Sequence, residues 1–112
     1  MRRATLNDLT VTYFRRRGYE IEKDVIWEGF SGILHKFDLV IRKGKERQMV
    51  WIRDWKRTVG VNIVINLDRA SSDVGFSNPV VISEKFSGHA RAYANRRGVT
   101  LLTKGEIARR LR

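Results

Sequence analysis

The chain has 112 residues, no cysteine, and 23 Lys and Arg against 12 Asp and Glu, giving a net charge of +11 and a pI near 10.9. That length suits one domain, 1–112, burying somewhat over about 60% of its unfolded surface, and the missing cysteine excludes a disulfide scaffold, a thiolate metal centre and a Cys nucleophile. The charge points to a polyanionic partner, nucleic acid first, with a merely solvated basic surface as the plainer account.

An anionic membrane surface fits less well, because the basic residues are spread over every segment and do not collect on one amphipathic helix. No apolar run approaches the roughly eighteen residues needed to span a bilayer. Residues 1–8 lack the apolar core of a signal peptide, so a cytoplasmic protein is expected.

In chain order, Leu6, Leu9, Tyr13 and Phe14 form one apolar stripe and predict a helix over 5–17. Thr5 with Asp8 three residues on makes its cap, and Gly18 its stop. From Tyr19 the period becomes two, predicting a strand that leads through Val25, Ile26 and Trp27 into a second short strand or loop. Residues 28–36, with Gly29, Ser31 and Gly32, read as the loop delivering the chain to Asp38.

Residues 37–56 read as two apolar strands joined by a charged turn, each carrying one aspartate where an apolar residue would serve the strand better. Period two places Asp54 and Lys56 on one face with Val50 and Ile52, and Trp51, Arg53 and Trp55 on the other. Pairing Asp38 with Asp54 centres the hairpin on Glu46 and leaves a loop of about 44–48, within the usual range; a tight two-residue turn would instead carry Asp38 well away from Asp54, so the pairing depends on the longer loop. Two carboxylates would then face each other across a strand pair, which needs a positive charge between them. Lys56 is one such charge; a divalent cation with oxygen ligands is a better neutraliser.

Beyond lie a largely buried helix over 61–72, whose wetter side carries Asn62, Asn66, Asp68 and Arg69, and a doubly covered strand at 80–83. A helix capped by Ser87 ends at Gly98, a short strand follows at 99–102, and Thr103 with Glu106 boxes the start of the last helix. The order of elements predicts an α/β sandwich with a mixed central β-sheet flanked by helices.

Asp38 followed by Asp54-Trp55-Lys56 at the end of the next strand resembles the PD-(D/E)XK nuclease signature. Thr58-Val59-Gly60, Val80-Val81-Ile82-Ser83, Phe86-Ser87, Ala90, Tyr93-Ala94, Gly98-Val99, Leu101-Leu102 and Gly105-Glu106-Ile107 resemble its Mrr-type restriction endonuclease branch. The likeness runs over roughly 6–111. A bare Asp-x-Lys arises by chance in roughly one chain of this length in three; its weight comes from the strand end, the second Asp and the downstream order. The resemblance implies a restriction-endonuclease-like fold and an endonuclease of Mrr type or of the kind resolving Holliday junctions. Phe37 stands where the signature has proline. Asp54 stands where the superfamily more often has Glu and the Mrr-type branch often Gln.

The resulting expectation is Mg²⁺-dependent hydrolysis of duplex or branched DNA, with Mn²⁺ able to substitute, by a homodimer. Asp38 and Asp54 would hold the metal with the carbonyl of Trp55, and Lys56 would position the attacking water or offset charge on the phosphate. A further acid is sought among Asp8, Glu20 and Glu22, with Asp8 more readily a cap and the glutamates more readily solvated strand residues. DNA contacts are expected from Lys36, Arg42, Lys43, Lys45, Arg47, Arg57, Lys85, His89 and Arg91. His35 is left outside the catalytic set. The alternative is a nucleic-acid-binding domain that keeps the fold without the activity.

Overall fold

Where the apolar residues fall decides the layers. In a computed structural model, which describes residues 5–112, five strands form one sheet flanked by four helices. The elements are α1 (Leu6–Arg16), β1 (Glu20–Glu28), β2 (Leu34–Lys43), β3 (Glu46–Arg53), α2 (Val61–Asp73), β4 (Val80–Ser83), α3 (Gly88–Arg97), β5 (Thr100–Thr103) and α4 (Lys104–Arg110). Strands lie in chain order across the sheet, antiparallel through β1, β2 and β3 and parallel through β3, β4 and β5.

Leu39, Ile41, Val50, Ile52 and Ile82 bury one sheet face against Leu6, Phe14 and Ile107 of α1 and α4. Phe37, Val40, Met49 and Val81 bury the other against Val64, Leu67, Ala90 and Ala94 of α2 and α3. This is the α/β sandwich with a mixed sheet that the element order predicts. No helix among the described residues is long and apolar enough to cross a membrane.

The predicted caps are present. Thr5 and Asp8 form a capping box, Ser87 accepts from the Ala90 amide, and Thr103 accepts from Glu106. Gly98 ends α3 with φ 73°, a conformation glycine takes without steric cost.

Four expectations are corrected. The β2–β3 connection is the tight turn Gly44–Lys45, with Lys43 opposite Glu46 and Leu39 opposite Val50, so Asp38 does not pair with Asp54. Gly44 has φ 63°, and a glycine at the first central position is what a two-residue type II′ hairpin turn takes. Next, β1 runs unbroken to Glu28 and β2 already starts at Leu34, so residues expected as loop instead form a long two-stranded arm. Also, β3 stops at Arg53, which leaves Asp54 and Lys56 past the strand, where alternation no longer assigns faces.

Finally, Asp68 is buried in α2: Tyr93 Oη and Arg97 Nε of α3 donate to its Oδ2 at 2.7 and 3.0 Å. The accepting carboxylate holds the Tyr93 phenol above its ordinary value of 10.0. Asp68→Ala leaves both donors without their acceptor, and urea unfolding should show a loss of about 1–3 kcal/mol.

The arm is tied down at its tip by Asp73, the last residue of α2. Its Oδ1 accepts the Ser31 amide at 3.0 Å, its Oδ2 lies 2.5 Å from Ser31 Oγ and 2.7 Å from His35 Nε2, and its carbonyl accepts the Phe30 amide at 2.8 Å. A Cβ on Gly29 would come within 2.0 Å of the same carboxylate, so only glycine lets the arm close on it. The Ser31 hydroxyl first, then His35, hold the Asp73 carboxyl below its ordinary 3.8. A depressed carboxylate stabilises the fold above its unfolded value and loses that contribution as pH falls through the lowered one. The Ser31 amide resonance should therefore stay put down to about pH 4 and shift below it. In Asp73→Asn that transition should vanish.

Candidate active site

The sheet forks at Asp38. Lys23 pairs with Leu39 and Val25 with Phe37, which leaves Asp24 facing Asp38 without a ladder pair, and Asp24 has φ 51°. At this point both strands of the arm exchange faces. Ile21, Leu39 and Ile41 pack on the α1 side, whereas Val25, Trp27 and Phe37 pack on the α2 side. The ladder to β3 also ends here, its last pair being Leu39 with Val50.

The Asp38 carboxylate fills the gap. Its Oδ2 accepts the Ile52 amide at 2.7 Å and Arg53 Nη1 at 3.2 Å. Its side chain is 28% exposed. Nearby, Trp51 Nε1 donates to the Lys36 carbonyl at 2.9 Å, which bridges the parted strands.

Arg53, not singled out by the sequence reading, is the cation beside Asp38. Its guanidinium lies 4.6 Å from the Trp51 ring centroid and 5.8 Å from that of Trp55, and Arg57 stacks 4.4 Å from Trp55. Indole and guanidinium thus alternate along residues 51–57, which keeps the cations over aromatic faces. The legible signal was the shared period-two face of Trp51, Arg53 and Trp55. Both indoles are half-buried and pack on the α2-side core, but Trp51 is not turned from the acids: it lines a cavity with Asp38 and lies under Arg53, which bonds Asp38.

Asp54 and Lys56 are exposed just past β3, in the segment leading to α2. That segment is pinned next to β4's exit: the Val59 amide donates to the Lys85 carbonyl at 2.9 Å, and the Ser87 amide to the Val59 carbonyl at 3.0 Å. A cavity of about 550 Å³ opens there, lined by Trp55, Arg57, Gly60, Ile63, Ser87 and His89. A second, of about 400 Å³, is lined by Leu34, His35, Lys36, Asp38, Trp51 and Arg53.

Of the further acids, Asp8 lines a cavity of about 220 Å³ together with Asp24 and Asp38, while also serving its capping box. Glu20 is ion-paired with Arg42, and its hydrogen bond raises the Arg42 guanidinium's pKa further. Glu22 lies exposed on β1. Neither glutamate lines either of these two cavities beside Asp38. Asp24 was missed because its approach to Asp38 follows from strand pairing, which no local pattern announces.

The basic residues divide into two groups. Lys36 shares a cavity with Asp38, and Arg57 and His89 share one with Trp55. Lys85 and Arg91 are exposed on the same exit from β4, Arg91 5.7 Å from the Phe86 ring. By contrast Arg42, Lys43, Lys45 and Arg47 surround the Gly44–Lys45 turn, at the end of β2 away from Asp38. There Lys43 Nζ donates to the Arg17 carbonyl at 2.9 Å, and Arg47 lies 5.9 Å from the Trp27 ring.

Carboxylate and carbonyl oxygens suit a hard cation such as Mg²⁺. Among the described residues no three Asp, Glu, His or Cys gather closely enough to enclose a metal. Any such ion would rest on one or two carboxylates and be completed by water and substrate phosphate. Asp38 would offer the oxygen not held by the Ile52 amide.

A family model described as a restriction endonuclease, Mrr_cat, matches residues 1–111. Among solved structures, one described as a protein of unknown function, AF1548, superposes with a TM-score of 0.79 at 21% identity. The match covers 88% of this chain and 58% of that one, and it is a likeness of fold. No curated protein matches.

Proposed function

Since the chain belongs to the Mrr_cat restriction endonuclease family, a nuclease family whose substrate is nucleic acid, we propose that it is a metal-dependent DNA endonuclease working at the strand fork. The observation that supports this most is Asp38 wedged where β2 leaves β3, with Asp54-Trp55-Lys56 immediately past the end of β3.

Asp38, Asp54 and the carbonyl of Trp55 would hold Mg²⁺ or Mn²⁺. When bound, such an ion polarises the phosphoryl oxygen and acidifies the attacking water. Lys56 orients that water and offsets charge building on the phosphate. Arg57, His89 and Lys36, facing the two flanking cavities, hold neighbouring phosphates and so fix the scissile bond relative to the carboxylates. Water oxygen bonds to phosphorus as the bond to the 3′ oxygen breaks and that oxygen takes up a proton. The ends are then a 5′-phosphate and a 3′-hydroxyl. Cutting both strands of a duplex or junction calls for two such sites, hence a homodimer.

A second reading is a DNA-binding domain without cleavage, favoured by the Arg53 guanidinium already neutralising Asp38. Labelled duplex, flap and four-way-junction DNAs incubated with Mg²⁺, Mn²⁺ or chelator separate the two. The nuclease reading expects metal-dependent nicks in at least one substrate. Intact DNA throughout would leave the binding domain standing in its place.

A further inference from the structure

Six arginines that the fork does not use meet on the opposite layer. Arg15, Arg16 and Arg17 lie at the end of α1, Arg109, Arg110 and Arg112 at the end of α4, and all six are exposed. Two bonds hold the runs side by side: Arg16 Nη1 donates to the Leu111 carbonyl at 3.0 Å, and Arg110 Nη1 to Tyr13 Oη at 2.8 Å. Arg17 lies 5.1 Å from the same Tyr13 ring. We propose that this arginine face is a second nucleic-acid surface, holding the phosphate backbone of a duplex segment separate from the one at the fork.

Charge is the first observation. None of the six is ion-paired among the described residues, although Glu20, Asp38, Asp68 and Asp73 each hold a basic partner. The acids of the two helices, Asp8 and Glu106, sit in the first turns, bonded to Thr5 and Thr103. The helix dipole favours cations in a last turn, and Arg16 and Arg110 serve that end while bridging the helices. Arg15, Arg109 and Arg112 make no hydrogen bond, ion pair or ring contact among the described residues.

Chemistry is the second. Unpaired guanidinium groups take phosphates, which they meet in paired N–H···O bonds. A membrane surface would also need apolar anchors, and the large exposed apolar residues of the described chain, Ile26, Phe30, Ile33 and Leu34, all belong to the arm. A protein partner would need an aromatic or aliphatic anchor of the same kind. A phosphate backbone needs none.

Placement makes the segment a separate one. Arg57 and His89 lie in the cavity on the α2–α3 side, whereas the arginines lie on the α1–α4 side, with the sheet between. Lengthwise, α1 begins at the cavity that Asp8 shares with Asp38 and carries the arginines about 15 Å further over its 11 residues. A straight duplex seated on the α2–α3 side therefore does not reach them.

The test reads binding in chelator, so it stands apart from cleavage. With duplexes of about 12 base pairs at about 50 mM salt, sedimentation should show the wild type taking up one duplex per chain more than Arg15→Glu, Arg109→Glu. Arg57→Ala should weaken uptake at the fork and leave the extra duplex in place. Circular dichroism should be unchanged in the double variant, whose sites face solvent. Arg15→Gln, Arg109→Gln, which sets no negative charge against the helix dipoles, should weaken the extra binding in the same direction. The control Arg96→Glu, Lys104→Glu, with the same change in net charge, should keep wild-type uptake. Equal uptake by the wild type and the double variant overturns the proposal. So does an equal loss in the control, which would make net charge the cause. Binding to phosphatidylserine vesicles that the double variant loses, at equal duplex uptake, would make a lipid surface the occupant and overturn it too. A protein that cleaves nothing yet takes up the extra duplex would lose the nuclease reading and keep this one.

Discussion

Asp38→Asn should lower DNA cleavage by a factor of about a thousand or more while leaving the protein folded and still bound to DNA. The asparagine carbonyl can still accept the Ile52 amide that Asp38 holds at 2.7 Å, so the strand fork survives while the negative charge is gone. Asp38→Ala should lose cleavage equally and also leave that amide without its acceptor, costing about 1–3 kcal/mol of stability. Lys56→Ala removes an exposed side chain past the end of β3, so activity should fall with no change in the urea midpoint. Cleavage, mobility-shift and unfolding curves on the three variants thus separate chemistry from architecture. Cleavage by Asp38→Asn at the wild-type rate would remove Asp38 from the reaction.

DNA affinity should fall roughly a thousandfold between 50 and 200 mM salt if about six phosphates are neutralised. If DNA lies at the strand fork as proposed, the cations beside the fork should carry that dependence. Lys36 and Arg57 line the cavities beside the fork, whereas Lys43 spends its amino group on the Arg17 carbonyl and the Tyr19 ring. Arg57→Ala should therefore reduce the slope of log affinity against log salt by about one, and Lys43→Ala should leave it unchanged. Filter binding across a salt series checks both; equal effects from the two would mean that DNA also lies along the Gly44–Lys45 turn.

Elements whose signals are local were legible from the residues. The stripe Leu6, Leu9, Tyr13, Phe14 and the boxes at Thr5 and Thr103 specify helices within a few residues of chain, and the structure has them there. The hairpin register was misread because the demand that two acids meet was weighed above turn chemistry, although Lys43-Gly44-Lys45 already carried the tight-turn signal. Asp68 looks like a solvent-facing residue until α3 brings Tyr93 and Arg97 to it, a contact across more than twenty residues. Arg53 and Asp24 escaped for the same reason: what each meets depends on where β2 parts from its neighbours. Asp38 was found because an acid among Phe37, Leu39, Val40 and Ile41 is conspicuous in any register.

The distribution of indoles has a practical consequence. Trp27, Trp51 and Trp55 are the chain's three tryptophans, and all of them pack on the α2-side layer. Intrinsic emission at 295 nm excitation therefore reads out one half of the sandwich and is blind to the half built on α1 and α4. Two of the three emitters lie under the guanidinium groups of Arg53 and Arg57, so a phosphate or ion that draws those cations away changes their quantum yield. The molecule carries an unlabelled optical gauge at the place where its chemistry is expected.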